Sequence, residues 1–406
     1  MYNYLFSLFS RYSIVISGFL VFIYTSSLFG PEGRGFIAVG GSIISIIGIL
    51  FSLNLGRSFI ALTKKNKTLK ENLIKSYIKT HLMLIAVAVL FAFVFMNLSD
   101  HVYGMFPKEL IYFFLIGVPF YLWGVNNNDI FAAFDMTFKQ EVIIVLIRFT
   151  LVLSLVLLWI FELQELSYFL LVYYFILSGG SIIEMFYIFN KGRLRDFSLM
   201  KKYLSKLPKL LGFAHLDYLA FHLFPFFLIL LSTIFLNIKD VGILNFTLQI
   251  ISFIFLLSVV ASIRMKSYVA VKGSNQYSKS ITLLFFVTLF LSFFGLIFCL
   301  LFIQDIVNYF FSSFGDVRIL LAILYFSIPG HLLYQFNLPI LIENNALKRS
   351  ATLNGMNFLF SLFIGFFTIQ YFGVYGFCIA FILFYIILIP INLSFWLDNY
   401  AKKSLY

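Results

Sequence analysis

The residues best placed to do chemistry in this sequence are the few ionisable side chains inside long apolar stretches. A charge at the centre of a bilayer costs about 2.5 kcal/mol or more, so it is kept where it has a task or a partner. From Phe36 to Leu62 there are 27 residues with one charge, Arg57. Arg264 lies near the polar end of a later stretch, and Arg148 about two turns into a third. A guanidinium facing a cavity can grip two phosphate oxygens at once; alternatively, these side chains reach back to lipid headgroups along their aliphatic stems. The segment HLDYLAFH places His215, Asp217 and His222 together, a set able to exchange a proton near neutral pH. Asp217 could equally pair with an arginine or cap its helix. Asn126, Asn127, Asn128 and Asp129 form the run NNND in another apolar stretch. Four successive polar side chains cannot share one helix face, so some meet other helices and others are available to sugar hydroxyls. Glu184 stands alone, a counter-charge for Arg148 or another cation.

These residues need apolar elements to hold them, and composition supplies little else. The chain is 62% hydrophobic and 11% charged, too little polar residue to cover a soluble globule of 406 residues. Its 56 Phe and 24 Tyr suit lipid-facing helices and interfacial belts. The net charge of +12 lies in short segments between apolar spans, not on one continuous basic face, which argues against nucleic acid. Cys299 and Cys378 each sit in an apolar run, without disulfide or metal spacing. No P-loop, HExxH or CxxC pattern is present, and no loop is long enough for an external catalytic domain, so the chain reads as a transporter and not an enzyme. The first apolar stretch has no small-residue cleavage site after it and is read as an uncleaved helix.

Apolar windows predict twelve spans, at about 9–29, 36–62, 77–97, 110–134, 142–161, 167–190, 211–236, 241–263, 281–302, 319–343, 351–371 and 374–397. The cations test this count. One side collects Arg11, Lys64 to Lys75, Lys139, the run Lys191 to Lys209, Lys266 to Lys279, Lys348 with Arg349, and Lys402 with Lys403; the other has Arg34, Lys108, Lys239 and Arg318. By the positive-inside rule both termini are cytoplasmic.

A shift of 207 positions lays Gly35 on Gly242, Ile43 and Ile44 on Ile250 and Ile251, Ser45 on Ser252 and Arg57 on Arg264. A shift of 210 lays Pro119 on Pro329, Asn127 on Asn337 and Lys139 on Arg349. Both offsets are close to half the length, as two similar halves require. The expected organisation is a six-helix bundle over 1–190, a cytoplasmic linker over 191–210 that is either solvated or an amphipathic surface helix, and a second six-helix bundle over 211–406.

LFGPEGRGFIAVGGSI resembles the first external turn and second helix of the polysaccharide flippases of the MOP superfamily (Wzx type), which also contains the MATE exporters. NIKDVGILNFTLQII resembles the matching turn and eighth helix, and LPILIENNALKRSATLNGMNFLF and FGVYGFCIAFIL resemble the last third. The resemblance implies an all-α polytopic protein of about twelve transmembrane helices, its two six-helix bundles set in a V and working by alternating access. It implies a bacterial inner-membrane flippase for undecaprenyl-diphosphate-linked oligosaccharide repeat units, of O-antigen or capsule type. Arg57, Arg264 and Arg148 would hold the diphosphate, with Asn126, Asn127 and Asp129 toward the sugars. Asp217, His215, His222 and Glu184 would serve any coupling to protons or another cation, and no cofactor is expected. The partners implied are the lipid-linked substrate, membrane lipids, a polysaccharide polymerase and a chain-length regulator. The alternative is a cation-coupled multidrug exporter of the same fold.

Overall fold

The computed structural model describes the backbone of residues 2–403 except 54, 57–58, 60–66, 99–106, 135, 193–196, 273–276 and 344–346. Side chains are also left undescribed at further positions, chiefly 2–8, 67–70, 197–211, 256–284, 339–347 and 396–403. Among the described residues there is no strand.

The first helical run, Tyr2–Ser52, is kinked at Gly30 into α1 (2–29) and α2 (31–52). Gly30 adopts φ 59°, a conformation that costs other residues a Cβ clash, and Pro31 lacks an N–H and so starts the next helix without an unsatisfied donor. The remaining helices are α3 Lys67–Leu98, α4 Lys108–Ile116, α5 Val118–Gly124, α6 Asn127–Ala133, α7 Thr137–Ile160, α8 Leu166–Phe189, α9 Phe197–Ser232, α10 Ile238–Lys272 and α11 Tyr277–Phe310. After a short 3-10 turn, Ser312–Phe314, come α12 Arg318–Tyr325 and α13 Ile328–Glu343. The last run, Leu347–Lys403, is kinked at Gly373 (φ 58°) into α14 (347–372) and α15 (374–403).

Nine of the described helical runs are long and apolar enough to cross a membrane, ten with the bent pair Phe285–Phe298 and Leu300–Phe310. Two of the ten, Tyr12–Ser52 and Lys348–Phe395, are 41 and 48 residues long, about twice the ~20 that a crossing needs. Divided at their glycine kinks they bring the total to twelve passes among the described residues. Large apolar side chains such as Phe149, Phe175, Phe186, Phe290 and Phe363 stand exposed, as lipid requires and water would not tolerate.

Two expected boundaries differ. The second span begins at residue 31, not 36, because the external turn contracts to Gly30 and leaves Arg34 and Gly35 inside a helix. Its regular part ends at Ser52, where Leu53 takes φ 49°. In place of a separate linker over 191–210, residues 197–210 are helical and run without a break into the seventh span.

Two compact units can be distinguished: Met1–Phe29 with Val39–His215, and Gly30–Ala38 with Leu216–Tyr406. In the first, the fourth span is broken into α4, α5 and α6, and a buried cluster including Phe59, Tyr77, Trp123, Phe131 and Ile188 forms part of its core. Lys75 lies over the Phe189 ring at 5.1 Å, and Lys139 and Lys191 over Tyr187 at 5.7 and 5.5 Å. Three cationic segments assigned to the same side thus meet at one end of this unit. In the second, Gly330 lets α13 approach α15 so closely that a Cβ would lie 1.9 Å from the Tyr385 carbonyl oxygen. Phe221 stacks on Tyr334 at 3.8 Å, and Phe224 on Phe384 at 4.0 Å.

The internal repeat reappears in contacts. Asn127 donates to Glu184 at 3.0 Å in the first unit, and Asn337 to the Asn392 side chain at 3.2 Å in the second. Position 392 is 208 beyond 184, within two residues of the 210 between 127 and 337. The turn before α8 holds Glu162 at φ 57°, and Gly373, 211 positions later, takes φ 58°.

Candidate functional site

Break points in the fourth span build the site in the first unit. Between α5 and α6 the chain loses helical bonds at Val125 and Asn126, which frees backbone groups that something must satisfy. Asn126 does part of this work for a different break. Fully buried, it donates to the Ser52 carbonyl at 3.2 Å and accepts from the Gly56 N–H at 2.8 Å, stapling the end of α2. Its amide is spent on backbone.

Asn127, one residue on, points elsewhere. It donates to Glu184 Oε2, which also accepts from Trp123 Nε1 at 2.7 Å. Trp123 is itself fully buried, edge-on to His81 at 5.1 Å. Glu184, 2% exposed, is therefore held by two neutral donors, and among the described residues it makes no ion pair. Its carboxylate lines a cavity of 190 Å³ together with Arg148, Asn127, Asn128, Ser181, Gly124 and apolar side chains from α1, α5, α7 and α8. Gly180 lets α7 close against α8 here, since a Cβ would lie 2.2 Å from Ile147. Asn128 adds an amide whose oxygen accepts from Gln140 at 3.0 Å.

Arg148 is half-buried, and among the described residues it makes no ion pair. A guanidinium carries five donors in a planar fork. The cavity thus brings together a cation, two amides, a hydroxyl and a carboxylate, a chemistry suited to phosphoryl oxygens and hydroxyls. Its volume is below that of a typical drug-sized pocket, so it suits one group of a larger ligand.

Of the expected substrate residues, Arg148 and Asn127 come together; Asn126 is turned to backbone, and Asp129, half-buried, does not line the cavity. Arg57 lies outside the described residues, as does the side chain of Arg264 within α10.

In the second unit, Asp217 on α9 is 1% exposed and accepts three hydrogen bonds, from Tyr334 at 2.9 Å, Ser350 at 2.7 Å and Asn354 at 2.7 Å. Helical spacing separates it from His215, two positions away, while the His222 ring lies 4.1 Å from that of Tyr218 and is tilted by 35°. These three donors, two hydroxyls and an amide, come from α13 and α14. Among the described residues, no group of three His, Cys, Asp or Glu could hold a metal ion. Asn128 stood in the NNND run; Ser181, Trp123, Tyr334, Ser350 and Asn354 carried no sequence signal beyond being polar or aromatic within an apolar span.

No protein-family model and no curated protein sequence matches the chain. Among solved structures, a multidrug resistance MATE family transporter of the MOP superfamily in an inward-facing conformation aligns over 97% of this chain and 96% of its own, with 16% identity and a TM-score of 0.67. The lipid II flippase MurJ in an inward closed conformation aligns over 97% of this chain and 86% of its own, at 14% identity and a TM-score of 0.73. A eukaryotic MATE transporter, AtDTX14, aligns over 96% and 92%, at 14% identity and a TM-score of 0.61. The chain shares the fold of these proteins.

Proposed function

We propose that this protein is a flippase that moves undecaprenyl-diphosphate-linked oligosaccharide repeat units, of O-antigen or capsule type, across the bacterial cytoplasmic membrane by alternating access. The observation that carries this reading is Arg148, a guanidinium inside a membrane-spanning helical unit, sharing a cavity with Asn127, Asn128 and Ser181. Such a set grips a phosphoryl group through paired charge-assisted bonds, with the Asn128 amide nitrogen and the Ser181 oxygen lining the same cavity toward sugar hydroxyls. The isoprenoid tail needs no protein pocket, since lipid solvates it. Arg57 and Arg264 belong to the same reading as further phosphate ligands, and Asp217 and Glu184 as the groups whose charge couples the cycle to protons or another cation. A polysaccharide polymerase and a chain-length regulator are the partners such a flippase would serve.

A second reading is supported by one observation. Glu184 lines the same cavity as Arg148, and a buried acid is what a cation-coupled exporter of organic cations would use. The two readings separate in the host. Deleting the gene should abolish surface polymer while lipid-linked single repeat units accumulate on the cytoplasmic side, and the intact gene, but not its Arg148→Ala form, should restore export. Unchanged polymer together with raised sensitivity to cationic drugs would favour the exporter.

A further inference from the structure

The GPEGRG segment was expected to be an external turn, yet it forms a tight contact with the start of α10. Gly35 faces the Ile238 carbonyl oxygen, where a Cβ would come within 2.0 Å, and Gly242 faces the Pro31 carbonyl oxygen, where one would come within 1.7 Å. The contact is reciprocal, because 238 and 242 lie 207 positions beyond 31 and 35, the offset of the sequence repeat. Only glycine permits two helix backbones to meet this closely. The start of α10 is fixed by Asn237, which accepts from the Asp240 N–H at 2.8 Å and donates to the Asp240 carboxylate at 2.8 Å.

The repeat breaks at one residue. Arg34, matched to Val241 in the other half, is 2% exposed and donates to Asn245 Oδ1 at 2.5 Å and to Gln249 Oε1. Arg318, assigned to the same side, is half exposed and paired with Asp316 at 2.9 Å.

We propose that residues 30–38 form a releasable external latch: the Gly35–Gly242 crossing closes the external end, Arg34 fastens it to Asn245 and Gln249, and its release opens that end during transport. The latch rests on the transporter reading, but its first test needs no substrate. In a protein lacking both native cysteines (Cys299→Ser, Cys378→Ser), Ser42→Cys, buried and ~12 Å further along α2 than Arg34, is labelled with a membrane-impermeant maleimide from the external side. Labelling should be slow with Arg34 and Gly242 intact. It should rise about fivefold or more with Arg34→Ala or with Gly242→Ala, whose methyl cannot fit, and less with Arg34→Lys. Unchanged labelling in all three overturns the latch. A second measurement does not depend on how those variants fold: an Arg34→Cys, Asn245→Cys pair joined by a reducible bifunctional thiol reagent should stop lipid flipping, and reduction should restore it. Flipping at the uncrosslinked rate also overturns the latch. If the intact chain flips no lipid while the labelling responds as expected, the substrate reading fails and the latch stands.

Discussion

Asn126 and Asn127 are adjacent amides with separate tasks, and their substitution should show it. Removing the Asn126 side chain strips a fully buried backbone N–H at Gly56 and the Ser52 carbonyl of their partner. Leaving such groups unsatisfied costs about 1–3 kcal/mol each, so Asn126→Ala should lower the thermal unfolding midpoint of the purified protein. Arg148→Ala should behave in the opposite way. It removes a half-buried cation that makes no ion pair among the described residues, so the midpoint should hold or rise, while affinity for a diphosphate lipid falls about tenfold or more. Arg148→Lys should recover only part, because an ammonium cannot present the planar fork. A midpoint drop for Arg148→Ala as large as that for Asn126→Ala would mean that the arginine is structural. The sequence marked Arg148, Asn127 and Glu184 because ionisable and amide groups are costly in lipid, a matter of composition alone. It could not separate Asn126 from Asn127, because that distinction depends on where the end of α2 lies in space.

At the scale of elements, glycines decide where helices bend and where they touch. Gly373 bends the chain at φ 58°, where a Cβ would meet only a Leu236 methyl at an ordinary 3.8 Å, whereas Gly330 sits in a helix against the Tyr385 carbonyl. Gly373→Ala should cost about 1–2 kcal/mol through backbone strain alone. Gly330→Ala must push α13 away from α15 and should be worse, losing folded protein on extraction. Gly355 lies in α14 with nothing within 4 Å, and Gly355→Ala should be neutral or stabilise by up to about 1 kcal/mol, as alanine favours a helix. Detergent-solubilised thermal stability ranks the three, and equal effects would refute the packing argument. Twelve passes were legible because apolar length and lysine alternation are one-dimensional signals. The single-residue turn at Gly30 was not. GPEGRG holds three glycines and a proline and reads as a loop, and only the approach of α10 shows that Gly35 serves packing while Gly30 serves the turn.

For the whole molecule, the fold is that of transporters whose named cargoes range from drugs to a lipid-linked precursor, so architecture leaves cargo to the sites. The internal repeat, visible first as matched glycines and prolines, persists in Asn127–Glu184 and Asn337–Asn392, yet the chemistry is asymmetric. The first unit presents a cavity with Arg148, and the second a carboxylate, Asp217, held by a tyrosine, a serine and an asparagine. The most direct measurement uses purified protein in liposomes with a fluorescent polyprenyl-diphosphate oligosaccharide, following the fraction of label open to a membrane-impermeant quencher. The account predicts translocation faster than in protein-free liposomes, abolished by Arg148→Ala and absent for the same oligosaccharide on an uncharged lipid. Equal rates with and without protein, or movement indifferent to the diphosphate, would contradict it.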